Sequence, residues 1–266
     1  MEINPQHIIE KPDESFSFDG EWSLVNNCNL KSSSGILRRV NTNNYQGFSF
    51  LSTANPKNLY VEDNAKENIF NENDLLPVAD DIVLITEKYT DFLFITLNVT
   101  PSFLEIGDDL NHKSAVIVAW NSLAELIRKG ISLLEDIEPS ELHVGTQWIN
   151  NGWAIFIADT LDNGAGYSSK YGNTDEFGKL LKYIDTRLIT KSLNEPKHSD
   201  VCTTSCYKCL RHYNNRMQHA GLNWRLGVDL FSLIFDREIN QLHLDAHWDK
   251  LIKVLIPSIL KELLLS

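Results

Sequence analysis

The chain has 266 residues, with 36 acidic against 24 basic side chains and a formal net charge of −12. Its 42% of hydrophobic residues exclude an intrinsically disordered chain. Four cysteines are too few for a disulfide scaffold, and the acidic balance argues against strong, autonomous nucleic-acid binding. The sequence starts without the basic and apolar regions of a secretory signal, and no apolar run is long enough to span a membrane. We therefore expect a cytoplasmic protein with reduced thiols and no membrane partner.

The net charge is unevenly distributed along the chain. Residues 60–138 carry 16 acids and 5 bases, a composition typical of a solvated acidic face. Residues 201–228 carry no acid and four bases, and we call this segment the basic island. Its cations are Lys208, Arg211, Arg216 and Arg225.

Periodicity predicts few regular elements in the N-terminal third of the chain. Residues 1–80 are polar and weakly periodic, which predicts an irregular segment with short strands. Two apolar runs, 81–86 and 92–97, predict strands that are joined by a polar turn at 87–91. Apolar residues at helical spacing then predict a helix over 114–134.

The rest of the chain mixes strands with helices. Residues 142–148 and 153–158 predict a hairpin around the turn sequence Asn-Asn-Gly. Further helices are predicted at 175–189 and 224–235, and an amphipathic one at 246–265. Together the elements predict an α+β fold with a small antiparallel sheet and several helices, which cluster toward the C-terminus.

Three of the four cysteines form a cluster, Cys202-Thr-Thr-Ser-Cys206-Tyr-Lys-Cys209. Thiolates are ligands that zinc prefers, and a C-x-x-C loop lets two sulfurs reach one ion. A redox C-x-x-C motif is disfavoured, because a third cysteine crowds the motif and no βαβ pattern precedes it. The spacing therefore predicts a structural Zn²⁺ site in the helical C-terminal half.

A closed structural zinc site needs a fourth ligand. We favour His219, because the nine residues between it and Cys209 allow the chain to return to the ion. His212, which is close to Cys209 in sequence, and His198 remain alternatives. Cys28 is a further candidate, although a remote cysteine is typically a buried apolar thiol.

A glycine-containing loop, residues 159–167, follows an apolar strand and permits a tight turn. It matches neither the Walker motif nor the dinucleotide fingerprint, and no Walker motif occurs in the sequence. The chain is therefore not expected to be an ATPase or another enzyme. The alternative is a metal-dependent nuclease or hydrolase, in which Asp159 and Asp162 hold a divalent metal and His143 or His212 acts as base.

Several segments resemble one known family. DTLDNGAGY (159–167) and CTTSCYKCLRHYNNRMQHAGLNWRLGVDL (202–230) resemble the MrfA-type zinc-binding (MZB) domain. YTDFLFITL (89–97) and AWNSLAELIRKGISLLEDIEPSELHVG (119–145) are similar to the block that precedes the glycine loop in that family. The resemblance spans about residues 45–235. The C-x3-C-x2-C spacing is closer to the DrmB-like branch than to the four-cysteine helicase branch, so the fourth ligand does not carry over.

The resemblance implies an MZB-like zinc-binding domain over 81–266, after the segment 1–80. It implies a non-catalytic accessory subunit that partners a superfamily-two helicase in a bacterial defence or DNA-repair machine and reaches DNA through the complex. Of these two, we expect DISARM-type anti-phage defence. DrmB-like proteins are longer than this chain, which looks like their C-terminal portion.

The basic island interleaves its four cations with Tyr207, Tyr213 and Trp224. Cations beside stacking rings are what single-stranded nucleic acid requires, so a DNA-contact patch is one interpretation. The alternative is that Tyr207 and Trp224 pack in the core while the arginines pair with acidic residues or with a partner. A third possibility is a pure protein-interaction scaffold, in which the acidic stretch and the amphipathic C-terminal helix dock on another protein.

Overall fold

The computed structural model describes residues 8–13, 18, 21–41, 48–53, 59–61, 75–100, 104, 110–149, 152–235, 248 and 250. These residues form two compact units. The first comprises the described parts of Met1–Lys11 and Arg38–Glu87, and the second those of Pro12–Leu37 and Lys88–Leu265. Residues 12–37 thus fall in the second unit, whereas the sequence-based division grouped them with segment 1–80. The amphipathic helix predicted at 246–265 lies outside the described residues, apart from 248 and 250.

The strands form two antiparallel sheets. They are β1 Ile8–Pro12, β2 Ser23–Val25, β3 Cys28–Asn41, β4 Phe48–Thr53, β5 Leu59–Val61, β6 Leu75–Ile82, β7 Leu84–Leu97, β8 Leu142–Ile149 and β9 Gly152–Asp159. The larger sheet has six strands in the order β1-β3-β7-β9-β8, with β2 paired to β3. The smaller sheet has the order β5-β4-β6. The predicted hairpin is confirmed, since β8 and β9 pair from Leu142 opposite Asp159 to Ile149 opposite Gly152.

The helices follow mainly after the sheets, which confirms the predicted α+β class. They are α1 Leu110–Glu135, α2 Tyr167–Lys170, α3 Thr174–Tyr183, α4 Pro196–Ser199 and α5 Trp224–Ile234, with 3₁₀ helices at Pro139–Glu141 and Tyr213–Gly221. The single helix predicted over 175–189 is α3 followed directly by a π-helical segment, Ile184–Leu193. Within the described part of the chain, no helix has the length and apolarity needed to cross a membrane.

The polar turn predicted at 87–91 is wrong, because these residues continue β7. Their side chains have polar partners that are distant in sequence. Arg38 forms an ion pair with Glu87 at 2.6 Å, and the hydroxyl of Ser34 donates to Oδ1 of Asp91 at 2.7 Å. A polar run can remain extended when residues of a neighbouring strand pair with its charged and hydrogen-bonding side chains. Sequence periodicity does not reveal such partners.

Helix α1 is the centre of the second unit's core. Its side chains are buried around most of its circumference between Ala115 and Ile131, as expected for a central rather than a surface helix. It packs on the β8–β9 hairpin, on α3 and on α5. The neighbouring strand β9 is also fully buried from Ala154 to Ala158.

Two glycines allow neighbouring segments to approach α1 closely. A Cβ atom on Gly130 would lie 2.4 Å from Cγ1 of Ile184, the first residue of the π-helical segment. A Cβ atom on Gly227 of α5 would lie 3.0 Å from the backbone carbon of Ser122. Both approaches are shorter than ordinary packing of larger residues permits.

These contacts predict opposite effects for two helical Gly→Ala substitutions. Alanine generally stabilises a helix interior over glycine by up to about 1 kcal/mol. Gly130→Ala should nevertheless destabilise the protein, by about 1 to 3 kcal/mol from overpacking against Ile184. Gly178→Ala in α3 should stabilise it, since no atom lies within 4 Å of the added methyl group. Urea unfolding of both variants measures the difference, and equal stabilisation by both would contradict the packing of Ile184 on α1.

Candidate metal centre

Three thiols and one imidazole meet in the loop that follows α4. One ligand atom from each of His198, Cys202, Cys206 and Cys209 lies within 4.8 Å of all the others. The Sγ atoms of Cys202 and Cys209 are 3.9 Å apart, and Sγ of Cys206 is 3.6 Å from Nε2 of His198. A tetrahedral zinc with ordinary bond lengths requires about 3.8 Å between two sulfurs and about 3.6 Å between sulfur and nitrogen. The donor set and its spacing therefore fit Zn²⁺.

The backbone of residues 202–209, which we call the knuckle, is folded around the sulfurs. The backbone N–H of Cys206 points at Sγ of Cys209, with 2.9 Å between the two heavy atoms. The N–H groups of Cys209 and Arg211 both donate to the carbonyl of Cys206, each at 3.0 Å. Backbone donors directed at a sulfur favour its thiolate form, which is the form that binds a metal.

The imidazole of His198 is oriented by a partner outside the cluster. Its Nδ1 lies 2.9 Å from the carbonyl of Leu193, the last residue of the π-helical segment. A carbonyl only accepts, so Nδ1 carries the proton and Nε2 turns its lone pair toward the thiols. A metal-binding histidine usually donates its other ring N–H in this way, which fixes the tautomer and the orientation of the ring. The side chain is buried, and the ring of Trp224 lies 5.1 Å from it.

The structure places His198, rather than the favoured His219, with the three cysteines. Nε2 of His219 lies 2.9 Å from Oδ1 of Asn215 and 3.1 Å from the carbonyl of His212. Neither His219 nor His212 belongs to the cluster. Cys28 is fully buried in the core, and its thiol lies 3.0 Å from the carbonyl of Val25.

One sequence signal could have pointed to His198. It precedes Cys202 by four residues, and the N–H of Cys202 donates to the carbonyl of His198 at 2.8 Å. In a helical turn, residues four apart lie on the same face. The turn that starts at α4 therefore presents both side chains to one ion.

His212 and His219 belong to a polar network beneath the 3₁₀ helix Tyr213–Gly221. Glu125 and Arg128 on α1 form a buried ion pair, and Asn215 also hydrogen-bonds Glu125. Burial raises the pKa of Glu125, against the opposing charge of Arg128. Burial and the positive charge of Arg128 lower the pKa of His212 to about 3, so this imidazole is neutral at ordinary pH. The network anchors the 3₁₀ helix to α1.

The charges around the thiols show why the cluster requires a cation. Burial, followed by the negative charge of Cys209, raises the pKa of Cys202 to about 12. Burial also acts to raise the pKa of Cys206, but hydrogen bonds, first that of the Lys208 backbone, lower it to about 7. Burial raises the pKa of Cys209 as well. Three thiolates therefore cannot coexist without a bound positive ion.

A protein cation lies next to the thiols. Lys129 on α1 donates from Nζ to the carbonyl of Lys208 at 2.9 Å. Burial lowers the pKa of Lys129, whereas the thiolates of Cys209 and Cys206 raise it. A Zn²⁺ bound by three thiolates and a neutral imidazole carries one net negative charge, which this ammonium group is placed to balance.

Arg225, one of the four predicted DNA-contact cations, is hydrogen-bonded to the knuckle and to the end of α4. Nη1 of Arg225 donates to the carbonyls of Cys202 at 2.9 Å and Thr203 at 3.0 Å, and Nη2 donates to Ser199 at 2.7 Å. Its neighbour Trp224 is buried and also donates to the carbonyl of Cys202, at 3.0 Å.

The other three cations of the basic island differ in exposure and in hydrogen bonding within the loop. Nε of Arg211 donates to the hydroxyl of Ser205 at 2.8 Å, so this side chain is also used within the loop. Lys208 and Arg216 have exposed side chains. Of the four predicted cations, these two therefore extend into solvent, while Arg211 and Arg225 brace the loop.

The glycine loop is organised around the buried carboxylate of Asp159. Backbone N–H groups of four successive residues, 165–168, donate to it at 2.7 to 3.2 Å, and the hydroxyl of Ser168 adds a bond of 2.7 Å. Gly166 adopts a φ of 87° at the start of α2, a conformation that favours glycine. These donors occupy the carboxylate, so Asp159 caps the loop and α2. Asp162 is exposed on the loop, and His143 lies in β8 opposite Ala158.

The cluster predicts different outcomes for two histidine substitutions. His198→Ala removes one of four ligands and should lower zinc affinity by about a hundredfold or more, since even outer-shell changes cost ten- to a hundredfold. His219→Ala should retain zinc, because its ring is used in the polar network. Elemental analysis after dialysis against a competing chelator measures both variants. Retention by His198→Ala with loss by His219→Ala would contradict the ligand set.

Zinc binding should release protons. At pH 8 the raised pKa values keep Cys202 and Cys209 protonated while Cys206 is largely ionised, so binding should release about two protons. Added protons compete with zinc for the thiols, and zinc affinity should therefore fall as the pH falls. Calorimetry in buffers of different ionisation enthalpy counts the protons. Cys28→Ala, outside the cluster, should give the same count, and binding without proton release would contradict thiol ligation.

Comparisons with known proteins agree with this chemistry. Residues 123–210 match the family model of the MrfA Zn-binding domain, MZB. No curated protein matches the chain. Among solved structures, the crystal structure of the DUF1998 helicase MrfA bound to DNA is similar, with 12% sequence identity and a TM-score of 0.49. The similarity covers 86% of this chain and 25% of that helicase, so the chain spans about a quarter of its length. The chain therefore carries a zinc-binding MZB match, and this range contains all four side chains of a site suitable for zinc.

Proposed function

We propose that this chain is a non-catalytic, zinc-binding accessory subunit that partners a superfamily-two helicase in the cytoplasm. In this proposal the complex acts in bacterial anti-phage defence, and the chain assists its engagement of DNA. The observation that carries the proposal is the His198–Cys202–Cys206–Cys209 cluster inside the range that matches the MrfA Zn-binding domain. The sequence resemblance to the DrmB-like branch supports the finer assignment to a DISARM-type system.

The residues of the site suit a structural role for the metal. Zinc, when bound, supplies a cross-link among four side chains of the knuckle and of the helical turn before it. Trp224 and Arg225 connect the knuckle to α5, and Lys129 connects it to α1. The ligand set is closed, with four protein donors and no position reserved for substrate, as in structural rather than catalytic zinc sites.

The nuclease alternative is not favoured by the geometry of its proposed metal ligands. The carboxylate of Asp159 is fully buried and accepts five hydrogen bonds from the loop and α2. A divalent cation would have to displace these donors. The exposed Asp162 would be left as a single carboxylate, which is a weak site for Mg²⁺.

Co-expression with a superfamily-two helicase of the same organism tests the proposal. We expect the helicase to co-purify with the wild-type chain and with His219→Ala, and the complex to bind DNA more tightly than the helicase alone. Cys206→Ser should lose zinc and, with it, both effects, because the knuckle no longer folds. Size-exclusion chromatography with light scattering measures assembly, and fluorescence anisotropy measures DNA affinity.

The proposal fails if the helicase binds DNA equally well with and without the chain. Assembly that persists with no change in DNA affinity would instead favour the pure interaction scaffold. Plating efficiency of phage on cells with the wild-type gene or the Cys206→Ser variant tests the defence assignment separately. Equal plating on both would remove that assignment while leaving helicase association intact.

A further inference from the structure

The outer surface of the knuckle and the 3₁₀ helix exposes large side chains that globular proteins usually bury. Tyr207 is 67% exposed, Tyr213 72% and Met217 50%. With the exposed cations Lys208 and Arg216 they form what we call the knuckle face. Exposed apolar groups on this scale, clustered together, mark binding surfaces more often than inert ones.

Contacts within the knuckle face join its parts into one surface. The guanidinium of Arg216 lies 4.9 Å from the ring centre of Tyr213, although the 3₁₀ helix bends at Asn215. The ring of Tyr207 meets that of His219 edge to face, with 5.6 Å between ring centres. Arg216 and His219 are three residues apart, the spacing that aligns side chains on a 3₁₀ helix. Each tyrosine therefore contacts a side chain of the same 3₁₀ helix.

The tyrosines stand on a rigid support. Tyr207 lies between two zinc-ligating cysteines, and the carbonyl of the next residue, Lys208, is held by Lys129. Tyr213 starts the 3₁₀ helix that the buried Glu125 network anchors. Because the rings are already positioned, a ligand that stacks on them pays little additional ordering entropy.

We propose that the knuckle face binds single-stranded nucleic acid, with unpaired bases stacked on Tyr207 and Tyr213 and phosphates contacted by Lys208 and Arg216. This inference rests on the proposed function and deepens it by naming the form of nucleic acid and the residues that contact it. A nucleic acid is favoured over a protein partner because residues 201–228 contain no acidic side chain. A single strand is favoured over a duplex because only unpaired bases present free faces to the rings.

Charge alone is too weak to explain binding at this surface. Two phosphate contacts on a single strand give a logarithmic salt slope of only about −1.4. Stacking is worth considerably more and does not depend on salt, at roughly fivefold or more in affinity for each base. Binding should therefore be modest in affinity, weakly salt-dependent and sensitive to loss of either ring.

Fluorine NMR of the full, zinc-loaded chain labelled with 3-fluorotyrosine tests the inference, since it also detects millimolar binding. A short oligothymidylate should shift and broaden the resonances of Tyr207 and Tyr213. Tyr89, which is 56% exposed in β7, is the matched internal control and should not respond. Tyr→Phe variants assign the resonances, and the duplex form of the oligonucleotide should have a much smaller effect.

Substitutions then quantify the contacts. Tyr207→Ala and Tyr213→Ala should each weaken single-strand binding about fivefold or more, and Tyr89→Ala should leave it unchanged. Arg216→Ala should reduce the salt slope by about 0.7, whereas Arg187→Ala, an exposed arginine of the π-helical segment, should not. Unchanged zinc content and circular dichroism confirm that the variants are folded.

Three outcomes would overturn the inference. They are no response of Tyr207 and Tyr213 at millimolar oligonucleotide, an equal response to duplex, and loss of helicase co-purification in the tyrosine variants with DNA binding unaffected. The last outcome would identify the knuckle face as a protein interface. If the tyrosines do not respond but the wild-type chain still forms the helicase complex, the proposed function is retained. If the tyrosines respond but the helicase complex does not form, the proposed function is wrong and single-strand binding is retained.

Discussion

The metal centre depends on a hydrogen bond outside its ligand set, between Nδ1 of His198 and the carbonyl of Leu193. This bond fixes the tautomer that leaves Nε2 available to zinc. The accepting carbonyl ends the π-helical segment, whose first residue, Ile184, packs on α1 at Gly130. The position of the fourth ligand is therefore set by how closely that segment approaches α1. The packing at Gly130 and the orientation of the His198 imidazole are coupled, because the same π-helical segment makes both contacts.

Zinc binding would also stabilise this part of the fold. Without metal, burial raises the pKa of Cys202 to about 12 and also raises that of Cys209, so these two thiols keep their protons. Zinc replaces those protons and contributes on the order of 10 kcal/mol. A whole domain is stable by only about 5 to 15 kcal/mol. The bonds from Trp224 and Arg225 to the carbonyl of Cys202 can then form together with the ion, because they need the same loop conformation.

Several elements were predicted correctly from patterns among residues that are close in sequence. The hairpin, α1, α5 and the three thiols follow from periodicity, turn residues and C-x-x-C spacing. The path of β7 through 87–91 could not be predicted, because its polar side chains are satisfied by Arg38 and Ser34, about fifty residues away. The spacing of His198 and Cys202 was visible in the sequence, but the orientation of the His198 ring depends on the π-helical segment, which no sequence pattern predicts. Nor does the sequence reveal that Arg225 donates to the carbonyls of Ser199, Cys202 and Thr203.

The structure shows which of the basic side chains remain available for binding in a chain that is acidic overall. A net charge of −12 opposes any general attraction to nucleic acid, and the loop itself uses two of the four cations in the basic island. What remains is a small surface of two rings and two cations. Such a surface cannot capture DNA from dilute solution, but in the proposed complex a tether to a helicase would raise the local concentration of strand to about the millimolar range. In that regime stacking would select unpaired bases and the net charge of −12 would oppose binding to duplex, so weak intrinsic affinity would become a source of selectivity.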